Sequence, residues 1–243
     1  MTRKQAPAAS TAYLDKTAYS YDEKRFRSAG GRSIDRIEKR QLASVFERLN
    51  GDEQVFEVGC GTGRFLLFAC QSGFRCTALD ASPDMVDQAR HITEEFSDVE
   101  FYVANAASIP VGDNSFDLTF SIRLLNQTGT EEQALAIVSE MFRVTKPGGM
   151  VLVEFVNYFR PGSRRKPLGM RDVRLRPKQV IETARSASGE ILSISGAFFF
   201  GMTAQHYVPS PLRPLLNFLD FSLCAIAPRL CARCYILFFK SPR

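Results

Sequence analysis

Three glycines, Gly59, Gly61 and Gly63, stand at alternate positions in the stretch VFEVGCGTGRF, directly after an apolar run. Glycine adopts backbone angles closed to other residues, and it has no side chain to hold a ligand away. A turn from a strand into a helix also offers free N–H groups to a negatively charged group. An acid, Asp80, ends the next apolar run, where a carboxylate can accept hydrogen bonds from both hydroxyls of a ribose. These residues predict a site for a ligand that contains a nucleoside.

The glycine spacing argues against a dinucleotide cofactor. The dinucleotide fingerprint is G-x-G-x-x-G/A, and its third small residue permits close contact between helix and strand. When the fingerprint is laid on Gly59 and Gly61, the third position falls on Arg64, which is too large. The chain instead has an acid, Glu57, before three glycines at alternate positions. A nicotinamide-dependent dehydrogenase is therefore disfavoured.

The elements that must position these residues alternate between strand and helix. Hydrophobic patterns predict strands at 54–58, 75–80, 99–104, 116–121 and 150–156. Helices are predicted at 32–49, 64–72, 83–96 and 131–145, the third opened by a Ser-Pro pair that suits a helix start. The later chain predicts a helix at 178–187, a strand near 190–200, an apolar helix at 211–227 and a last strand at 234–239. The alternation indicates an α/β fold with a doubly wound, mostly parallel sheet covered on both faces.

Four stretches of the chain, in order and at fitting spacings, resemble the motifs of class I S-adenosylmethionine-dependent methyltransferases of the small-molecule type. They are FEVGCGTG, ALDASPDMVDQAR, VANAASIPVGDNSFDLTFS and RVTKPGGMVLVEF, and together they cover about residues 50–156. The upstream stretch YDEKRFRSAGGRSIDR looks like the lid that precedes the domain in many members. The resemblance implies a Rossmann-like seven-stranded sheet with an antiparallel last strand. It also implies S-adenosyl-L-methionine as cofactor and S-adenosyl-L-homocysteine as product.

The domain organisation expected from the resemblance is simple. Residues 1–30 would form an N-terminal arm or lid, and residues 31–243 a single methyltransferase domain. Within that domain we expect a basic insertion on the substrate side at about 157–178 and a cap segment at about 200–230.

The resemblance also implies a set of cofactor-binding residues. They are Tyr21, Glu57, Gly59, Cys60, Gly61, Asp80, Ala81, Met85, Asn105, Ala106, Ser121 and Ile122. Asp80 would hold the ribose hydroxyls, and Met85 would pack near the adenine. Asn105 stands where the family commonly has Asp, and its amide oxygen can still accept from the adenine amino group. Two alternatives stay open: Glu57 could cap the adjacent backbone, and Asp80 could serve the helix start at Ser82.

The acceptor side of the site has weaker signals. His206 would follow the sixth strand, and a histidine there could take a proton from an attacking hydroxyl; the alternative is a surface loop histidine. Arg123, Asn126 and Tyr207 are the predicted substrate residues. Tyr21 would close over the methionine end of the cofactor or serve only as a packed aromatic of the lid.

The positive charge is concentrated in one segment. From Arg160 to Lys178 eight basic residues and one acid give +7, which exceeds the net charge of +5 for the whole chain. This segment predicts a site for an anion, such as a phosphate, a carboxylate, a nucleic acid or a membrane surface, or else a solvated loop. The apolar stretch 211–227 predicts a packed cap or a dimer contact, with lipid contact as the alternative.

The cysteines do not form a pattern typical of a metal site. Cys231 and Cys234 form a C-x-x-C pair, but there is no second pair at zinc spacing, and the pair leads into a strand. We therefore expect six reduced, mostly buried cysteines and no bound metal. No signal peptide is visible at the N-terminus, and no uncharged run approaches the ~20 residues that span a bilayer. These patterns predict a cytoplasmic protein without a transmembrane segment.

The leading hypothesis is an enzyme that moves a methyl group from S-adenosylmethionine to an oxygen or nitrogen atom of a small metabolite. Sugars, lipid-linked molecules and natural products are the acceptor classes considered, anionic ones among them. One alternative is an RNA methyltransferase that uses residues 160–178, although SIRL stands where such enzymes often carry an NPPY-type motif. Another is a non-catalytic cofactor-binding subunit. Nucleic acid is not the expected partner, and the sequence leaves oligomeric state and peripheral membrane contact open.

Overall fold

A computed structural model describes residues 28–160, 173–200 and 207–242, which form one seven-stranded sheet with helices on both faces. The strands are β1 (Gln54–Val58), β2 (Arg75–Asp80), β3 (Glu100–Val103), β4 (Phe116–Ser121), β5 (Thr145–Val156), β6 (Gly189–Ala197) and β7 (Arg233–Lys240). The helices are α1 (Ala29–Phe46), α2 (Arg64–Gln71), α3 (Pro83–Ile92), α4 (Glu131–Val144), α5 (Pro177–Ser186) and α6 (Arg213–Ile226). Short 3₁₀ helices lie at Leu125–Gln127, Ser210–Leu212 and Pro228–Leu230.

The strand order in the sheet is β3-β2-β1-β4-β5-β7-β6. The pairings among β1 to β5 are parallel, and β7 is antiparallel to both of its neighbours, β5 and β6. The predicted doubly wound sheet with an antiparallel last strand is therefore confirmed. The chain builds outward from β1 to β3 and then returns to place β4 on the other side of β1. This reversal creates, at the carboxyl ends of β1 and β4, the kind of crevice in which open α/β sheets bind ligands.

The apolar core consists of two layers, one on each face of the sheet. Successive residues of a strand point to opposite faces and alternate residues share a face, so Leu118 and Phe120 both pack on the side of α1 and α2. Val151 and Val153 pack with the side of α4 and α5. Because both faces are covered, the central strands read as nearly continuous apolar runs rather than as alternating ones.

Three helix boundaries differ from the sequence expectation by three residues or more, among them the end of α1, which lies at Phe46 rather than at residue 49. Helix α1 begins at Ala29 rather than near residue 32, because the Ser28 hydroxyl accepts a hydrogen bond from the Gly31 N–H at 3.0 Å and caps the helix there. Helix α3 begins as predicted, with the Ser82 hydroxyl accepting from the Met85 N–H. It ends at Ile92, about one turn earlier than residue 96.

The connection from β6 to β7 is long for two antiparallel neighbours, because residues 198–232 intervene and carry α6. Strands β5 and β6 are both antiparallel to β7, so they run in the same direction. The connection therefore leaves and re-enters the sheet at the edge where β1 and β4 also end. This is the region predicted as a cap. Within the described parts of the chain, no helix combines the length and apolarity needed to cross a bilayer.

Candidate functional site

Three glycines with left-handed backbone angles determine the shape of the loop between β1 and α2. The φ angles of Gly59, Gly61 and Gly63 are +79°, +52° and +86°. The N–H groups of Gly59 and Cys60 both donate to the carbonyl of Leu79, at 2.7 and 3.0 Å. These bonds connect the loop to the end of β2. The positive φ angles of the loop favour glycine, because a Cβ makes the left-handed region unfavourable for other residues.

The space around the Cα atom also differs between the three glycines of the loop. A Cβ on Gly59 would lie 2.8 Å from the side chain of Leu124, and one on Gly63 would lie 2.8 Å from the Cα of Ala89 in α3. Gly63 therefore permits close packing of α2 against α3. A Cβ on Gly61 would meet nothing within 4 Å. The backbone at Gly61 is the part of the loop that faces open space and that a ligand can approach.

Asp80, at the end of β2, connects this loop to the next one. Its Oδ2 accepts from the Gly61 N–H at 2.9 Å, and its Oδ1 accepts from the Ser82 N–H at 2.9 Å. Burial raises the pKa of Asp80, and the hydrogen bonds from Ser82 and Gly61 oppose that shift. A carboxylate offers about four lone-pair sites, so each oxygen keeps capacity for another donor. Asp80 thus accepts a hydrogen bond at the start of α3 and can still accept hydrogen bonds from ribose hydroxyls.

The loop after β3 lies beside Asp80. The Ala104 N–H donates to the carbonyl of Asp80 at 3.0 Å. Asn105 is exposed, and its Oδ1 accepts from the Ala107 N–H at 2.9 Å. The remaining members of the predicted adenine side are the exposed Ala81 and the buried Met85 and Ala106. The fold thus gathers the carboxyl-end loops of β1, β2 and β3 at one edge.

Glu57 lies beneath the glycine loop rather than at its open side. Its side chain is buried, and burial raises the pKa of its carboxyl well above the usual value, with nearby Arg64 opposing the shift. A hydrogen bond from the backbone of Leu66, in the first turn of α2, also favours the ionised form. Gly63 at the start of α2 has no side chain to cap the helix. These contacts support the capping alternative for Glu57. Cys60 is likewise buried, which raises the pKa of its thiol.

Two buried polar atoms that have no partner among the described residues lie at the end of β4 and shortly after it. Ser121 and Ile122 are buried, and the Ser121 hydroxyl has no hydrogen-bond partner among the described residues. Asn126 is also buried, and its Oδ1 likewise has no partner within the described ranges. An unpaired buried polar group is costly unless water or a ligand satisfies it. The segment that follows β4 therefore carries groups suited to contact a polar ligand.

Arg123 adopts a left-handed backbone, with φ +67°, directly after this point. Its N–H donates to Glu154 Oε2 at 2.6 Å, and its guanidinium forms an ion pair with Glu38 of α1. The side chain is thus engaged inside the protein. Its predicted contact with substrate stays a prediction, as does that of Asn126.

Arg123 belongs to a buried ion-pair cluster that the sequence analysis missed. The cluster consists of three acids and three arginines: Asp35, Glu38, Glu154, Arg64, Arg123 and Arg233. Burial alone would raise the pKa of Glu38, but Arg123 and Arg64 hold it below its usual value. Opposite charges in equal number make burial of the cluster tolerable. The cluster fastens α1 to the carboxyl ends of β4 and β5.

Two signals in the sequence could have revealed this cluster. Glu38 lies four residues from both Ile34 and Leu42, so it shares the apolar face of α1. Glu154 interrupts the apolar strand MVLVEFV. Charges in such positions are buried only when they are paired. Tyr235, whose buried hydroxyl has no hydrogen-bond partner among the described residues, lies in the same charged surroundings, and burial raises its pKa.

Several predicted residues fall outside the part of the chain that the structure describes. These are Tyr21, His206 and residues 161–172 of the basic segment. Tyr207 is described and is 82% exposed. At the border of the basic segment, the guanidinium of Arg176 lies 4.1 Å from the ring centre of Tyr158.

The cysteines are free and buried, in agreement with the prediction. The sulfur atoms of Cys231 and Cys224 lie 3.2 Å apart. The residues described include no group of three or more His, Cys, Asp or Glu side chains arranged to hold a metal ion.

The central part of the chain is similar to known proteins. Residues 55–149 match the family described as "Methyltransferase domain". A malonyl-[acyl-carrier protein] O-methyltransferase from Serratia marcescens is 35% identical over 114 residues, which are 44% of this chain and 42% of the relative. A demethylmenaquinone methyltransferase from Renibacterium salmoninarum is 36% identical over 107 residues, 42% of this chain and 41% of the relative. The chain thus covers less than half the length of these relatives.

Solved structures agree on the fold. Phosphoethanolamine N-methyltransferase 2 from Haemonchus contortus, solved with phosphomonomethylethanolamine and S-adenosylhomocysteine, has a TM-score of 0.67. The comparison covers 96% of this chain and 59% of that one at 19% sequence identity. At such low identity the similarity shows a common fold, and it does not transfer the substrate.

Proposed function

We propose, because residues 55–149 match a family described as "Methyltransferase domain", that the chain is an S-adenosylmethionine-dependent methyltransferase acting on an oxygen or nitrogen atom of a small metabolite. One observation carries the proposal. The open backbone of Gly61 stands beside the carboxylate of Asp80, at the edge where the strand order reverses. A nucleoside-containing ligand needs this combination of close backbone approach and a hydroxyl acceptor.

The chemistry of the site fits S-adenosylmethionine. Asp80 would accept from the ribose hydroxyls, and Asn105 retains one lone pair on its amide oxygen for the adenine amino group. The Ser121 hydroxyl, which has no hydrogen-bond partner in the described parts of the chain, would contact the polar methionine end. When bound, the cofactor supplies a methyl group that its sulfonium already activates.

The residues of this chain would then act mainly by positioning. The acceptor must approach in line with the methyl group, and orientation of this kind lowers a barrier without covalent chemistry by the protein. A neutral hydroxyl acceptor gains from a base, and His206 is the proposed one. A neutral amine can attack without a base and lose its proton afterwards. The polar groups that follow β4, among them Asn126, would orient the acceptor.

The cofactor proposal is tested by titration calorimetry with S-adenosylmethionine, S-adenosylhomocysteine, NADH and NADPH in parallel. We expect micromolar binding of the first two and none of the nicotinamides, a magnitude typical for enzyme ligands. Binding of nicotinamides alone would refute the interpretation of the glycine loop.

Transfer itself is tested with S-adenosylmethionine labelled in its methyl group and a panel of acceptors. The panel begins with malonyl thioesters and demethylated quinones, because the relatives are named for such substrates, and continues with amino alcohols, sugars and unmodified RNA. Label on a small molecule supports the proposal. Label on RNA would establish the alternative, and tight cofactor binding with no labelled product across the panel would favour a non-catalytic subunit.

A further inference from the structure

Helix α6 exposes an unusually apolar surface. The apolar side chains that face solvent on this helix are Leu215, Phe218, Leu219, Phe221 and Ile226. Phe218 is 66% exposed and Ile226 is 80% exposed. The flanking residues Leu212 and Leu230 are also exposed. Contiguous apolar patches of this kind mark interaction sites on proteins.

The pattern along α6 departs from that of an ordinary surface helix. Leu215, Phe218, Leu219 and Ile226 share one face, where a surface helix usually carries charged residues. The acid of this helix, Asp220, points inward instead. It is buried, and its Oδ1 accepts from the Phe200 N–H at 3.1 Å. The sequence from 214 to 226 therefore places no charge on the outward face.

A row of arginines lies beside this apolar face. Arg32, Arg36 and Arg40 are spaced four residues apart on α1, and all three are exposed. The guanidinium of Arg40 lies 5.6 Å from the ring centre of Phe221 in α6. The Ser33 hydroxyl donates to Asn217 Oδ1 at 3.4 Å, which also brings the two helices together. The acids in this part of α1, Asp35 and Glu38, are paired with Lys39 and Arg64.

We propose that the outward face of α6 and the arginine row of α1, here called the α1–α6 face, bind the surface of an anionic lipid bilayer. Helix α6 lies in the plane of the interface with Leu215, Phe218 and Ile226 among the acyl chains. The arginines contact the lipid phosphates. This is the combination by which amphipathic helices and basic residues hold proteins at membranes.

The charges of the face argue against a second copy of the chain as its occupant. In a two-fold dimer the same surface occurs on both sides of the interface. The α1–α6 face carries Arg36 and Arg40 and no acid, so a two-fold dimer would bring like charges together across its interface. A bilayer rich in anionic lipid supplies the missing negative charge.

The test is sedimentation of the full chain with vesicles of phosphatidylcholine alone and of phosphatidylcholine mixed with phosphatidylglycerol. We expect binding to the anionic vesicles that weakens as salt is added. Arg36→Gln with Arg40→Gln should weaken binding by about fivefold for each charge removed. Leu215→Gln with Phe218→Gln should weaken it by about tenfold or more, because two buried apolar side chains are lost.

Matched controls come from exposed residues elsewhere. Arg90→Gln with Arg185→Gln removes one exposed charge from α3 and one from α5, and Leu192→Gln changes an exposed apolar residue of β6. Both controls should bind vesicles as the wild type does. Circular dichroism verifies that each variant is folded, and the arginine pair tests the inference even if the apolar pair does not fold.

Three results would overturn the inference. One is the absence of binding to anionic vesicles, and a second is equal loss of binding in the control variants. The third is a dimer in sedimentation velocity that dissociates on Leu215→Gln with Phe218→Gln, which would assign the face to a second copy. Calorimetry with S-adenosylmethionine is independent of all three, so loss of the membrane proposal would leave the proposed enzyme function intact.

Discussion

The loops that follow β1, β2 and β3 and the described part of the connection from β6 to β7, which carries α6, lie at the same edge of the sheet, but they are built differently. The first group is held by backbone hydrogen bonds, positive-φ glycines and a nearly buried carboxylate. The second carries exposed apolar side chains on α6 and few local motifs. A cofactor of fixed shape requires a fixed cradle, whereas an acceptor site can vary on the same fold. The comparison separates the loops proposed to bind the cofactor from the region proposed to select the acceptor.

The largest change in the free energy of unfolding is expected in the buried ion-pair cluster, where the two regions are joined. Glu38→Ala would leave Arg64 and Arg123 buried without their carboxylate partner, and breaking a buried pair from one side costs about 3–5 kcal/mol. Urea unfolding should report this loss. The control is Glu47→Ala at the exposed end of the same helix, with an expected change within about 0.5 kcal/mol. Similar losses in both variants would mean that the cluster does not hold α1 in place.

The next largest effect, on cofactor affinity, distinguishes a residue proposed to bind the cofactor from one proposed to act on the acceptor. Asp80→Ala removes the acceptor proposed for the ribose hydroxyls, and hydrogen bonds to charged groups are worth about 1.5–3 kcal/mol. Calorimetry should show S-adenosylmethionine affinity reduced by about tenfold or more. His206→Ala, on the proposed acceptor side, should leave that affinity unchanged. If Asp80→Ala bound S-adenosylmethionine as tightly as the wild type does, Asp80 would not be the acceptor for the ribose hydroxyls.

The pH dependence of Glu57 tests its place beneath the cofactor loop. Its folded pKa is raised, so the folded state holds a proton that the unfolded state releases above about pH 4.5. Stability of the wild type should therefore fall as pH rises from the unfolded pKa through the folded pKa. Glu57→Gln keeps the shape without the titration, so in a series of measurements from about pH 5 to about pH 8 it should gain stability relative to the wild type as pH rises. A constant difference across this range, measured by urea unfolding, would contradict the buried carboxyl.

A smaller effect distinguishes binding from backbone strain. Gly61→Ala and Gly73→Ala both place a Cβ at positive φ, +52° and +92°, and in both cases the Cβ meets nothing within 4 Å. Each should lose about 1–2 kcal/mol of stability, because a side chain disfavours the left-handed region. Calorimetry should show weaker S-adenosylmethionine binding for Gly61→Ala alone. Equal affinities in the two variants would mean that the open side of Gly61 does not face the cofactor.

The smallest effect concerns the outer face of the cap. Leu215→Gln with Phe218→Gln changes side chains that are already exposed, so the free energy of unfolding should change by about 0.5 kcal/mol or less per site. The measurement is urea unfolding of the free protein. A larger loss would indicate that these side chains support the folded chain rather than contact a partner.

Most of the cofactor region could be predicted because its signals are local. The three glycines mark a turn that other residues cannot form, and Ser82 with Pro83 marks the start of α3. The alternation of apolar strands and helices then dictates a parallel sheet with right-handed crossovers. The early start of α1 was missed because glycines at 30 and 31 obscure the helical pattern, although Ser28 caps the helix.

The sequence by itself determined the parallel sheet, the glycine turn and the position of Asp80 at a strand end, because each depends on neighbours in the chain. Only the tertiary structure decided that Glu57 lies beneath the loop and that Arg123 turns inward to Glu38. It also decided that α6 presents its apolar residues to solvent beside the arginines of α1. These outcomes depend on which distant elements pack together, and burial and charge pairing between distant residues leave only weak traces in local sequence.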